Sequence, residues 1–412
     1  PRTKNQQPKT NNKERTQRML RFALLILALA PFAAFAQAVP KPDVPTAAPV
    51  VPAAPILPVK SAILIDAETG QVLVEQDADA RVEPASITKV LAAYVLFHEL
   101  RAGRLKLEDP VRISENAFNR GIGGSRMFVN VNSEVSAKDL MLGMIVQSGN
   151  DATIALAEHI AGSEQAFADL MNQYAKKIGM SSSNFTNAPG LPEPEHYSTA
   201  RDIARLSQQV INEFPEYYAW YSTPEFTFNG IQQYNRNALL RRDDSVDGIK
   251  TGHTSSAGYC LASSAKRGDM RLIAVVMGSK SEETRAQESQ SLLNYGFRFF
   301  EAHTLYKAGE ELAKPKLWKG ESPELALGLA NDARIVIPRG KYDQLKAQMD
   351  VPSLLIAPVA KGHAVGTVKV LLDGKTVIDR PLVALTEGAE GGLWTRLTDG
   401  FWLWFEDEPV AP

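Results

Sequence analysis

The sequence predicts an α/β fold: an antiparallel sheet built from both ends of a long domain and surrounded by helices, then a small all-β domain, then a C-terminal amphipathic helix. Three observations predict it. The stretch "SAILIDAETGQVLVEQ", starting at Ser61, reads as two apolar strands around a turn at Glu68 to Gly70. Helical periodicity then dominates, and apolar strands resume only at Glu225 to Phe228, Gly258 to Ala265 and Leu272 to Gly278. Early and late strands flanking a block of helices must share one sheet for each to bury a face. After about residue 302 the chain changes to short Val/Ile/Leu runs broken by Gly and Pro, such as "ARIVIPRG" and "GTVKVLLDGKTVIDRPLVAL", the pattern of a β-sandwich.

In chain order, residues 1–36 read as a secretory signal peptide: a basic leader, an apolar run from Phe22 to Ala36 and the small-residue site "AFA". Residues 1–18 are long and polar for a leader, and Met19 suits a start, so they read as an upstream extension. Residues 37–58 are Pro/Ala/Val-rich and predict an extended, semi-rigid linker. A domain over 59–302 follows. Its helices are expected over Ser86 to Leu100, Ala137 to Met144, Asp151 to Ala161, Glu164 to Lys177 and Glu283 to Phe300. Another begins at a capping pattern, Thr199 to Asp202. The β domain spans 303–388, and the tail 389–412 places Leu393, Trp394, Leu397, Phe401, Trp404 and Phe405 on one helical face. Such a face suits a membrane interface, or the protein's own surface. Arg396 is the tail's single cation, which weakens attraction to anionic lipid, and Gly400 weakens the helix.

Composition narrows the function. The 412 residues carry 45 Lys+Arg against 47 Asp+Glu, without the basic excess of a nucleic-acid binder. The single cysteine, Cys260, allows no internal disulfide and no cysteine metal site, and its apolar run predicts burial. His98, His159, His303 and His363 lack metal-ligand spacing, and His196 sits in the Pro-rich "LPEPEHYS"; all read as structural or surface residues, and no metal or cofactor is called for.

Three short motifs carry chemistry. In "EPASITKVL", Ser86 and Lys89 stand three apart at a helix start, so the amine can reach the hydroxyl. A lysine is a useful base only when neutral, through burial or a nearby cation. In "MIVQSGNDATIALA", Ser148 and Asn150 bracket Gly149 on a turn between helices, able to point into a cleft, though Ser, Gly and Asn are also ordinary turn residues. In "GIKTGHT", Lys250, Thr251 and Gly252 sit near the start of a strand and suit an extended ligand with a negative group; alone they could be an ordinary surface strand. Lys250 could be the cation that keeps Lys89 neutral. The three motifs occur in order, each on the element its chemistry requires.

Together with "SGNDATIALAEHIAG", "SVDGIKTGHTSSAGY" and "NYGFRFFEA", the motifs resemble those of low-molecular-mass penicillin-binding proteins, specifically the D-alanyl-D-alanine carboxypeptidases, from about Ser61 to the C-terminus. The resemblance implies a β-lactamase/transpeptidase-like catalytic domain, with the β domain lifting it from a membrane. It implies Ser86 as nucleophile and Lys89 as its base. Ser148 would pass the proton to the leaving D-alanine, and Asn150 would hold the acyl chain and Lys89. Lys250, Thr251 and Arg285 would bind the terminal carboxylate, with Gly252 and His253 on the adjoining strand and Arg236 at the cleft. The Gly-rich "NRGIGGSRMF" resembles the loop bordering that cleft. The implied substrate is a peptidoglycan pentapeptide, the implied inhibitors are β-lactams, and the implied place is the periplasmic face of a bacterial inner membrane. A D,D-endopeptidase and an inactive envelope scaffold are the competing expectations.

Overall fold

The computed structural model describes residues 51–122 and 124–406, so the expected signal peptide and most of the linker lie outside the described residues. The central sheet is antiparallel, in the order β2–β1–β9–β8–β7. Strands β1 (Ser61–Asp66) and β2 (Val72–Gln76) form the early hairpin. Its turn is fixed by Asp66, whose carboxylate accepts from the Thr69 N–H and hydroxyl, and by Gly70 at φ +73°. Strands β3 (Pro110–Arg112) and β4 (Glu134–Ser136) pair with each other, as do β5 (Glu225–Phe228) and β6 (Ile231–Tyr234). Strands β7 (Val246–Thr254), β8 (Gly258–Arg267) and β9 (Met270–Ser279) complete the sheet, with β9 inserted beside β1. The two ends of the domain thus share one sheet.

Both faces of the sheet are covered. The helix Thr88–Arg101 is buried almost all round, from Thr88 through Phe97, as expected of a helix apolar on every side. It packs with Ile63, Ile65, Val275 and Met277 in the larger core. On the other face lies the helix Glu282–Phe299. Gly296 permits its approach: a Cβ there would stand 2.5 Å from Leu272 Cδ1 and 2.9 Å from Leu64 Cδ2. Thr199 caps the helix Ala200–Glu213 by accepting from the Asp202 N–H at 3.1 Å.

The β domain has its own core, including Leu327, Ile335, Val368, Val370 and Leu382. Strand β10 (Phe300–Tyr306) pairs with β12 (Ala333–Pro338), while β11 (Leu327–Gly328), β13 (Lys346–Asp350), β14 (Ala364–Leu372) and β15 (Lys375–Ala384) form a four-stranded sheet in the order β11–β15–β14–β13. The tail is a helix, Leu393–Glu406.

Several elements depart from expectation. The last part of the linker is docked: Gln76 bonds both the N–H and the carbonyl of Leu57, the Tyr295 hydroxyl donates to the Pro52 carbonyl, and Leu57 joins the core. Ser86 lies not in the α-helix but in a 3₁₀ turn, Ala85–Ile87, ahead of it. The helix Ala137–Leu142 gives way to one π-turn, Gly143–Gln147. Lys250 sits in the middle of β7, not near its start, because pairing with β8 begins at Val246.

Candidate active site

The site forms where the Ser86 turn, the Ser148 turn and β7 converge. Ser86 is lifted out by Ala85, which has φ +49°, so the hydroxyl stands clear of the helix that holds Lys89. Strand β7 passes close behind. A Cβ on Gly252 would stand 2.8 Å from the Pro84 carbonyl oxygen and 3.3 Å from the Ser86 nitrogen, so only glycine lets strand and turn touch here.

Lys89 is about 1% exposed. Its Nζ lies 2.9 Å from Ser86 Oγ, 2.8 Å from Asn150 Oδ1 and 2.7 Å from the Pro189 carbonyl oxygen. Burial pulls its ammonium down to about 7; Asp151 opposes that fall and Arg236 adds to it. Burial leads, Arg236 adds to it, and the repulsion expected between Lys89 and Lys250 acts on Lys250. Lys250, 3% exposed, is itself pulled well below the ordinary ammonium range, by burial first and then by Lys89, Arg236 and Arg285.

The second motif stands opposite. Ser148 adopts the left-handed conformation at φ +67° between the π-turn and the helix Asn150–Ala161. It is buried, and among the described residues its hydroxyl has no hydrogen-bond partner. The Asn150 N–H donates to the Ser125 carbonyl at 2.7 Å.

A cleft of about 310 Å³ opens above these groups, lined by Ser86, Ser148, Arg236, Thr251, Gly252, His253 and Arg285, together with Gly124, Ser125 and Glu282. Arg285 is 3% exposed, and its Nε finds no partner among the described residues. Two arginines, Arg236 and Arg285, and the neutral-leaning Lys89 give the cleft the chemistry of an anion site beside a nucleophile. The geometry thus gathers all ten residues singled out from sequence, with Lys89, Asn150 and Lys250 beneath the cleft floor.

Sequence reasoning missed others. Asp151 is 2% exposed and accepts from the N–H groups of Met127 at 3.0 Å and Phe128 at 3.1 Å, so it holds the Gly-rich loop against the cleft. A carboxylate in the first turn of a helix was its only sequence signal. Gly124 of that loop packs on the site, since a Cβ there would stand 2.5 Å from Asn150 Nδ2 and push that amide aside. Ser125 falls in the Gly-rich loop expected at the cleft, whereas Pro189 and Glu282 carried no signal, because contacts across the fold brought them in. His196 is buried as a neutral group: its Nε2 lies 2.8 Å from Thr88 Oγ1, and burial lowers the imidazole to about 4.

Residues 49–281 match the D-alanyl-D-alanine carboxypeptidase family. The chain belongs to that family. Residues 300–390 match the C-terminal domain of penicillin-binding protein 5. D-alanyl-D-alanine carboxypeptidase DacC of Escherichia coli (strain K12) is 44% identical over 343 residues, covering 82% of this chain and 86% of the relative. A D-alanyl-D-alanine endopeptidase of the same strain is 31% identical over 282 residues, covering 66% of this chain and 86% of the relative. Among solved structures, penicillin binding protein 5 from Haemophilus influenzae matches with a TM-score of 0.79 and 40% identity, over 82% of this chain and 100% of that one. Penicillin-Binding Protein D2 from Listeria monocytogenes, solved in an ampicillin-bound form, matches with a TM-score of 0.52 and 30% identity, over 58% of this chain and 98% of that one. The carboxypeptidase family expected from the three motifs is therefore the family found, and its fold is the observed one: an antiparallel sheet with helices, a β domain and a terminal helix.

Proposed function

We propose that this chain is a serine D-alanyl-D-alanine carboxypeptidase that removes the terminal D-alanine from peptidoglycan pentapeptides through a Ser86 acyl-enzyme. One observation carries the reading: a lysine amine, buried and lowered to about 7, lies 2.9 Å from a serine hydroxyl at the floor of a cationic cleft. At its ordinary value only about one lysine in a few thousand is neutral at pH 7; here close to half are.

The proposed chemistry assigns these positions the roles the family resemblance implies. Ser86 Oγ attacks the penultimate D-alanine carbonyl while its proton passes to the Lys89 amine. The C–N bond then breaks, and the leaving amine takes a proton relayed from Lys89 through the Ser148 hydroxyl. Water hydrolyses the Ser86 ester, with Lys89 again accepting a proton. Asn150 steadies Lys89 and the acyl chain. Lys250, Thr251 and Arg285 hold the terminal carboxylate, whose charge favours the ammonium form of buried Lys250. Gly252 and His253 flank the bound peptide on β7, and Arg236 adds positive charge at the rim. The same cleft takes β-lactams, whose carboxylate occupies the same place.

We further propose that the tail helix rests on the periplasmic face of a bacterial inner membrane. Leu393, Trp394 and Leu397 are more than half exposed along one side, while Leu403 is buried and Asp399 accepts from the Lys319 N–H at 2.6 Å. The docked and the apolar sides of the helix are thus distinct. Among the described residues, no helix is long and apolar enough to cross a membrane.

The test is the release of D-alanine from a purified pentapeptide and from a cross-linked peptide dimer. The pentapeptide should be the better substrate, and Ser86→Ala should release nothing from it. Preferential cleavage of the dimer would make the chain an endopeptidase. No Ser86-dependent release from either would leave it a scaffold.

A further inference from the structure

We propose that Tyr259 is a positioning residue for the reaction, an aromatic plate that seats both His253 and Arg285 at the carboxylate end of the cleft. This rests on the carboxypeptidase reading above. Tyr259 lies on β8, directly across from His253 on β7 and from Ser279 on β9. The imidazole of His253 and the Tyr259 ring are stacked, with centroids 4.0 Å apart and planes 29° from parallel. The guanidinium carbon of Arg285 stands 5.7 Å from the same ring centroid. Tyr259 is not among the cleft-lining residues, so it acts through the two that are.

The arrangement has a chemical consequence. A buried arginine needs something to offset its desolvation, and a tight carboxylate clamp would satisfy it at the expense of its ligand. Glu282 supports the Arg285 charge from the cleft wall, but no ion pair joins the two within salt-bridge distance. An aromatic face attracts the guanidinium without occupying its N–H groups. Arg285 Nε accordingly has no hydrogen-bond partner among the described residues. The ring thus holds the cation in place without taking a hydrogen bond from it, while Arg285 still lines the cleft. His253, which lines the cleft, is kept against β8 by the same ring.

The experiment compares kcat/KM for a diacylated lysyl-D-alanyl-D-alanine peptide with a free C-terminal acid and for its C-terminal amide. It uses the full chain and the variants Tyr259→Phe, Tyr259→Leu, Tyr259→Met and Arg285→Ala. Tyr259→Phe keeps the ring and should stay close to wild type on both substrates. Tyr259→Leu and Tyr259→Met should lose about tenfold on the acid, mostly through KM, with a much smaller change on the amide. Adding either replacement to Arg285→Ala should cost little more, because Tyr259 acts on the carboxylate through Arg285. Two non-aromatic replacements are used so that one that fails to fold, judged by its melting temperature, leaves the other. Equal losses on acid and amide, or a Tyr259→Phe variant as impaired as Tyr259→Leu, would overturn the proposal. Should wild type itself show no preference for the acid, the carboxylate reading of the cleft would fail first, a result seen before any variant is made.

Discussion

At the scale of single residues, the site is a problem in keeping one lysine neutral beside arginines that are useful charged. Burial does most of this for Lys89, and the exposed Arg236 adds a push. Protonated Lys89 cannot accept the Ser86 proton. Acylation should therefore rise as pH increases through about 7 and fall below it. Arg236→Gln removes a cation that disfavours the ammonium form, so the pKa of Lys89 should rise and the acid limb should move to higher pH. A pH profile of kcat/KM for the two proteins measures this, and an unmoved or lowered limb would contradict it. His196 gives stability a pH dependence of the same sense. Its folded value, about 4, is below the ordinary 6.5, so the unfolded chain binds its proton first. The resulting stability is intact above 6.5 and lost as pH falls toward 4, worth at most about 3 kcal/mol. Melting curves of wild type and His196→Asn between pH 4 and 7 should converge at the acid end.

At the scale of elements, the close pass of β7 against the Ser86 turn makes the two catalytic motifs one object. Gly252→Ala puts a methyl group 2.8 Å from the Pro84 carbonyl, and both partners there are backbone, so one must move. We expect kcat/KM to fall on the order of tenfold to a hundredfold, as misplaced reacting groups do, with a modest drop in melting temperature. Unchanged kinetics would mean that strand and turn are not coupled. Elements with strong periodicity were legible in the sequence: the β1–β2 hairpin, the helix Glu164–Lys177 and the Thr199 cap follow from local pattern alone. The motif residues were legible because their spacing carries chemistry. What was not legible came from contacts distant in sequence. Pro189 reaches Lys89 across 100 residues, and Asp151 reaches Met127 across a loop. The left-handed turn at Ser148 and the 3₁₀ turn at Ser86 likewise depend on the packed surroundings, which override local propensity.

At the scale of the whole molecule, the proposed anchor makes attachment separable from catalysis. Deleting residues 391–412 should release the mature protein from membranes while leaving cleavage of a soluble pentapeptide unchanged. The tail has Asp399, Glu406, Asp407 and Glu408 against Arg396, so its attachment should depend little on salt, unlike that of a basic anchor. Fractionation of wild type and the truncated chain at low and high salt measures both points. Wild-type protein found wholly in the soluble fraction would contradict the anchor.

The central claim is that Ser86, activated by Lys89, is the nucleophile. Intact-mass and peptide mapping of the purified protein after exposure to benzylpenicillin tests it most directly. One covalent adduct is expected, on the peptide containing Ser86, none on Ser86→Ala, and formation on Lys89→Ala slower by about 10²–10⁴-fold. An adduct on another residue, or labelling that survives Ser86→Ala, would contradict it.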